Sequence, residues 1–249
     1  MLRGIYSSAT AMLTQKNKLD VIANNIANST TTGYKSDMLI SQSFEDMLIS
    51  RVNDSKITSQ VKEVGPFNTG IHVDSVVTDF KCGSMVSTGK TTDVGITTDG
   101  FFTVETPQGI RYTRDGAFTL TNEGVLVNQD GFPVMGESGE ITLTSDEFSI
   151  KQNGEITQDG ETIDKLLITD FDDYTLLRKE SGNLYQNTGA NEMEPEKLDI
   201  RQGFLESSNV SIVDNLVDMM TVYRNYETNQ KMIQTMDSTL GKAVELGRI

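Results

Sequence analysis

Apolar residues recur near the start of the chain at Leu2, Ile5, Ala9, Met12, Leu19, Ala23 and Ile26, with Lys16 the one polar member of the row. The gaps alternate between three and four, the spacing of a coiled-coil seam. The pattern predicts a helix over 2–28, about 40 Å long at ~1.5 Å per residue. Val21 and Ile22 add apolar surface on other faces, and Gly33 follows closely enough to help stop the helix. A second row runs through Ile212, Leu216, Met219, Tyr223, Tyr226, Gln230, Ile233, Asp237, Leu240 and Val244. Val213, Val217 and Met220 form another apolar row beside it, which calls for more than one neighbour. Ser211 and Asp214 are spaced as a capping pair at its start. Pairing these two helices brings the chain ends together and leaves the middle as an excursion.

The middle has a different period. In "GFFTVETPQGIRYTRDGAFTLTNEGVLVNQDGFPVMG", short alternating runs are separated by turn signals at "PQG", "RDG", "NEG" and "QDG". This is a series of β-hairpins, continued by "FSIKQNGEITQDGETIDKLLITDF" with its Asn153-Gly154 turn. All four prolines lie between 66 and 195, so the ends are free of them, as helices require. Residues 34–78 read as a helix or an extended arm, and 182–206 as loop plus a short strand. The expected fold class is α+β: paired, coiled-coil-like N- and C-terminal helices with an inserted all-β domain and a connecting region.

Charge sharpens this division. The net charge is −15, and residues 61–200 carry 10 basic and 25 acidic side chains, so all of it lies in the middle. An acidic surface repels nucleic acid, whereas near-neutral ends suit packing against copies of themselves. No stretch approaches the ~18–20 apolar residues of a membrane span, and "MLRGIYSSATAML" is a poor cleavable signal peptide. No membrane insertion is expected.

Candidate chemistry is sparse. The lone histidine, His72 in "TGIHVDSV", reads as a strand residue without a nucleophile beside it. Cys82 is the single cysteine, read as small and partly buried, with no Cys/His cluster around it for zinc. "TDFDDY" at 169–174 reads as an acidic turn and lacks the alternate spacing of a calcium loop. There is no nucleophile elbow, P-loop or dinucleotide fingerprint. The expectation is a non-enzyme with no catalytic, cofactor or metal residues.

"LDVIANNIANSTTTGYK" (19–35) resembles the signature of the bacterial flagellar axial proteins, the rod and hook family, through Asn24, Asn25, Ile26, Ala27, Asn28, Thr31, Gly33, Tyr34 and Lys35. Residues 79–120 resemble the family's central block, with Asp79, Phe80, Gly83, Gly100, Phe101, Phe102, Tyr112, Thr113, Arg114, Gly116 and Phe118 in place. Thr92 and Gly95 depart from it, which weakens the expected packing of one strand. "GFLESSNVSIVDNLVDMMTVYRNYETNQKMIQTMDSTL" (203–240) resembles the C-terminal signature, with Leu205, Glu206, Ser208 and Asn209 among its matches. Three motifs in order make the resemblance specific.

The resemblance implies a core of paired end helices at 1–33 and 207–249, a connecting region at 34–78 and 184–206, and a β-rich outer domain at 79–183. It implies a structural subunit of the flagellar basal-body rod that polymerises helically and transmits torque. Its partners would be copies of itself, other rod and hook proteins, and the type III export apparatus, which it would leave without leader cleavage. The ending "NQKMIQTMDSTLGKAVELGRI" is closer to the proximal rod type, and the distal rod or hook type is the alternative. A rod-associated peptidoglycan hydrolase and a surface adhesin are the rivals from other classes. The residues expected at assembly interfaces are Leu2, Ile5, Met12, Leu19, Asn24, Asn25, Ile26, Asn28, Gly33 and Tyr34, with Ile212, Leu216, Met219, Tyr223, Tyr226, Ile233 and Leu240. Leu2, Ile5, Met12, Leu19 and Ile26 are expected to pack with Ile212, Leu216, Met219, Tyr223 and Ile233.

Overall fold

The computed structural model describes residues 2–50, 63–145, 147–195 and 197–247. The chain forms two units. A helical unit comprises Met1–Ile26, Asp37–Val77 and Ile212–Ile249; a β-rich unit comprises Ala27–Ser36 and Thr78–Ser211. The fold is α+β, with one helix at each end of the chain and strands between.

In the helical unit, α1 spans Leu2–Ala27 and α2 spans Ile212–Leu246. Both keep the predicted heptad period, but the covered row differs from the predicted one at alternate members. Along this row of α1 the covered or half-covered positions are Ile5, Ser8, Met12, Gln15, Leu19, Ile22 and Ile26, while Ala9, Lys16 and Ala23 are exposed; Thr14 and Asn25 are buried beside it. On α2 they are Asn215, Met219, Val222, Tyr226, Asn229, Ile233, Met236 and Leu240, while Ile212, Leu216 and Tyr223 are exposed. Among the described residues, Ile212, Leu216 and Tyr223 thus stay open where the expected packing would cover them. A Cβ on Gly4 would lie 2.5 Å from Met236 Cε, so α1 abuts α2 at that point.

The stretch 37–77, expected as helix or extended arm, is extended. The strand Asp37–Ser43 pairs with Ile71–Thr78, and Met47–Ser50 pairs antiparallel with Glu63–Phe67. This ribbon lies on α1: Arg3 sits over the Phe67 ring at 5.2 Å, and a Cβ on Gly70 would meet Thr10. His72 stacks on Phe44 with 4.9 Å between ring centroids, a packing role.

The β-rich unit is built on a six-stranded sheet. Its order is Leu177–Lys179, Leu184–Asn187, Gly109–Thr113, Phe101–Thr106, Ile168–Phe171, Glu192–Met193. The predicted "PQG" turn closes its central hairpin, with Thr106 opposite Gly109. Successive side chains on a strand point to opposite faces, so Phe102 and Val104 join a large aliphatic core with Ile96, Leu126 and Ile156. Phe101 and Tyr112 join an aromatic core with Phe171 and Tyr185. The "NG" signal also holds: Ser149–Ile150 pairs with Glu155–Gln158 around Gly154, whose φ is 88°. The polar stretch 184–206 supplies strands to this unit: Ile200–Gln202 pairs with Val94–Ile96, and Phe204–Glu206 with Met85–Ser87. Gly95 does not weaken its strand, because Met85 fills the space: a Cβ there would lie 2.1 Å from Met85 Cε. "TDFDDY" is a strand end followed by a short turn that Asp173 caps by accepting from Thr175 N.

Two tyrosines give this unit a pH dependence. Tyr112 donates to Glu192 Oε1 and Tyr174 to Asp170 Oδ1, each at 2.6 Å. Burial, then the carboxylate partner, pushes both hydroxyls above the ordinary tyrosine value of 10.0. Below that value both are protonated in folded and unfolded chains, and the bonds stabilise fully. Above it the unfolded chain releases its protons first, so stability falls as pH rises. Urea midpoints are expected to drop from about pH 10 upward, and the drop should flatten in a Y112F/Y174F variant. An equally steep drop in that variant would contradict the assignment.

Candidate assembly joint and interaction faces

The amide-rich end of α1 makes the first contacts of the joint. Asn25, 3% exposed, donates Nδ2–H to Asp37 O at 2.8 Å and accepts from Asp37 N at 2.9 Å. One side chain thus mimics a strand partner and ties the helix end to the root of the ribbon. Asn28 shapes the turn that follows: its carbonyl and Oδ1 accept from Thr31 N and Thr31 Oγ1. Asn24 is exposed. Gly33 has a φ of 64°, and its N–H donates to Glu206 O at 2.8 Å.

The next residues enter a buried cluster within the β-rich unit. Tyr34 is buried beneath Lys179, whose Nζ lies 3.7 Å from the ring centroid and donates to Lys35 O. Lys35 Nζ reaches Glu206 Oε1 at 2.6 Å, and both side chains are 1% exposed. Lys35 Nζ also donates to Lys81 O, and Gly83 N donates to Glu206 Oε1. The other oxygen, Glu206 Oε2, lies 3.6 Å from Arg114 Nη1, whose side chain is also 1% exposed. Arg114 donates to Thr98 O and sits over the Phe101 ring at 5.0 Å. Asn209 completes the joint, accepting from Ser36 N and donating to Asp79 O. Burial pushes the Lys35 ammonium below its ordinary range, against the pull of Glu206, and Arg114 adds to the lowering.

Each of the three sequence signatures contributes one charged side chain here: Lys35, Arg114 and Glu206. None of them was among the candidate interface residues. The available signal was that each charge stands next to a signature glycine or aromatic: Lys35 after Gly33 and Tyr34, Arg114 before Gly116, and Glu206 after Gly203 and Phe204. Cys82, expected to be partly buried, is exposed, and its Sγ lies 3.8 Å from Arg114 Nη1.

The predicted interface residues fall into two places. Gly33, Tyr34 and Asn28 belong to the β-rich unit and the rest to the helical unit. Ile5, Met12, Leu19, Ile26, Met219, Tyr226, Ile233 and Leu240 are half-buried, whereas Ile212, Leu216 and Tyr223 are exposed. The side chain of Leu2 lies outside the described residues. Ile22 and Val222, which sequence reading set aside or missed, are the buried apolar residues of the two helices. Among the described residues no group of three or more His, Cys, Asp or Glu side chains could hold a metal ion. No helix of the described residues is long and apolar enough to cross a membrane.

These features define a class of protein: a subunit whose two end helices belong to one unit, with a β-rich unit inserted between them in sequence, and whose three signature motifs contribute to one buried charged cluster. Family comparison makes the class specific. Residues 5–35 match the flagella basal body rod protein model, 95–158 the flagellar hook protein FlgE/F/G D1 domain, and 201–246 the flagellar basal body rod FlgEFG protein C-terminal model. The chain is 32% identical to the flagellar basal-body rod protein FlgG of Bacillus subtilis, covering 100% of both. It is likewise 32% identical to FlgF of Caulobacter vibrioides and 30% identical to the hook-basal body complex protein FlhO of Bacillus subtilis, with full coverage of each. The chain belongs to the flagellar basal-body rod protein family, and its role is that of a structural rod subunit. The relatives' names include FlgG, FlgF and FlhO, so they carry the rod assignment and not a position along the rod.

Proposed function

We propose that this subunit assembles helically with copies of itself and with other rod and hook proteins, and that it transmits torque through a non-catalytic, purely structural role. It reaches the basal body through the flagellar type III export apparatus with no leader cleaved. In the assembled state α1 and α2 pair as an antiparallel coiled coil. Support for that direction comes from the abutment of Gly4 and Met236, which sets Ile22 beside the turn holding Met219 and Val222. Beyond Leu240 every described residue of α2 is exposed, as expected where α1 has run out.

The observation that carries the reading is the distribution of apolar surface. Among described residues, the helical unit buries only Ile22 and Val222 of its large hydrophobic side chains. It leaves exposed Tyr6 and Leu13 on α1, and Val213, Val217 and Met220 on α2. An apolar cleft of about 310 Å³ lies between α1 and the ribbon, lined by Arg3, Tyr6, Thr10, Phe44 and Thr69. Exposed apolar surface of this extent is an interaction surface. A helix with so little cover is marginal alone and gains order from neighbours. The exposed row on α2 is unlike the surfaces around α1, which suits a heterologous contact, and such a contact builds a filament when the rotation between copies does not close.

Val217, 52% exposed, separates folding from assembly. Val217→Asp is expected to leave the thermal midpoint of the free chain unchanged, to remove the protein from purified basal bodies and to abolish swimming. Normal incorporation of a folded Val217→Asp chain would overturn the reading.

A further inference from the structure

We propose that Glu206 is the pin of the β-rich unit: one buried carboxylate, shared by the Lys35 ammonium and the Arg114 guanidinium, that fixes the entering and leaving segments of the chain against each other. The chain enters this unit through 27–36 and leaves it before α2, after Phe204–Glu206. Backbone bonds from Gly33 N to Glu206 O and from Asn209 N to Tyr34 O lay the two segments side by side. The Glu206 carboxylate then reaches a third segment, accepting from Gly83 N at 2.7 Å. The segments by which the chain enters and leaves the β-rich unit therefore share a single fixed root within that unit. Glu206, 2% exposed, is in this sense a positioning residue for these segments.

Charge, and not hydrogen bonding, holds one half of the pin. Glu206 Oε2 and Arg114 Nε make no hydrogen bond, so attraction across 3.6 Å is what joins the two groups. Two buried cations share one anion, and this makes the cluster asymmetric. Removing the anion orphans both cations, and breaking a buried pair in this way is strongly destabilising. A glutamine at 206 keeps one acceptor for Lys35 and Gly83, but turns its NH₂ donors toward the guanidinium, which has only donors of its own. Removing Lys35 as well takes away one of the two orphaned charges. The second substitution should then repair part of the damage done by the first.

The test uses the full chain in four forms: wild type, E206Q, K35M and K35M/E206Q. The readouts are the thermal midpoint and amide exchange at Gly33 and Gly83. E206Q is expected to lower the midpoint by roughly 10–15 °C, and K35M/E206Q to melt above E206Q. In the wild type, Gly33 and Gly83 are expected to exchange together and as slowly as the six-stranded sheet. A double variant that folds where E206Q alone does not supports the pin equally. An E206Q midpoint matching wild type, a double variant melting below E206Q, or wild-type Gly83 exchanging at the rate of an exposed loop would each overturn it. These readouts concern the free chain, so they stand or fall independently of helical assembly.

Discussion

A chain carrying Val222→Asp is expected to lose the order of both end helices and to vanish from basal bodies. Val222 is 3% exposed and is the buried residue of α2, flanked on the covered row by Met219 and Tyr226. Ile22, 5% exposed, is the buried large apolar residue of α1 among the described residues. A carboxylate placed there loses its water and finds no partner, a cost of about 3 kcal/mol or more. The helical unit has little else to offset it, because the rest of its apolar surface is half-buried or exposed. Isolated helices are marginal in water, so disrupting one seam releases both. Amide exchange should show α1 and α2 unprotected while the six-stranded sheet stays protected. Retained protection along α2 would show that Val222 is not part of the seam. Val217→Asp, five residues earlier, provides the contrast: the same charge on an exposed position leaves the free chain folded.

Why alternate members of the covered rows lie one position away from the predicted ones is a question of what hydropathy can see. The period was legible, and so was half of the phase: Ile5, Met12, Leu19 and Ile26, with Met219, Tyr226, Ile233 and Leu240, lie on the covered rows. The other half was assigned to Ala9, Lys16, Ala23, Leu216 and Tyr223, whereas Ser8, Gln15, Ile22, Asn215 and Val222 are the ones covered. Several of these are polar, so a search for apolar positions passes over them. It selects instead the outward apolar rows, because an apolar residue need not be buried in the free chain. In a subunit that assembles, two apolar faces compete for the same pattern, and the sequence does not say which one is met by its own chain.

The β-rich unit was more legible, since turn chemistry is local. Gly109, Gly124, Gly131 and Gly154 all have positive φ at the turns their motifs announce. The ribbon at 37–77 was less so. Its exposed Met38, Ile40, Met47 and Leu48 gave neither a clear helical nor a clear alternating period, because it is not buried on one face alone. The joint was legible only as residue identities. Lys35 and Glu206 are 171 positions apart in the chain, and nothing local indicates that they meet.

Gly33→Ala is expected to break that joint without touching any of its charges. Two costs add at this position. The residue sits at a φ of 64°, a region that non-glycine residues enter at roughly 1–2 kcal/mol. The new Cβ would also lie 2.5 Å from Arg114 C and Asp115 N, which are backbone atoms and cannot rotate away. Relief requires the segment 32–35 to move off the chain at 114–115. Such a shift pulls Gly33 N from Glu206 O, and Thr32 Oγ1 from Asp115 Oδ1, to which it donates at 2.6 Å. The steric part can be isolated. Gly89 has a φ of 70° but open space where a Cβ would go, so Gly89→Ala incurs the conformational cost alone. Chemical denaturation of both variants should give a loss of about 1–2 kcal/mol for Gly89→Ala and at least about 3 kcal/mol for Gly33→Ala. Equal losses would mean that the chain at 114–115 yields freely. The joint would then be a loose crossing of the entering segment over the chain at 114–115, and not a fixed root.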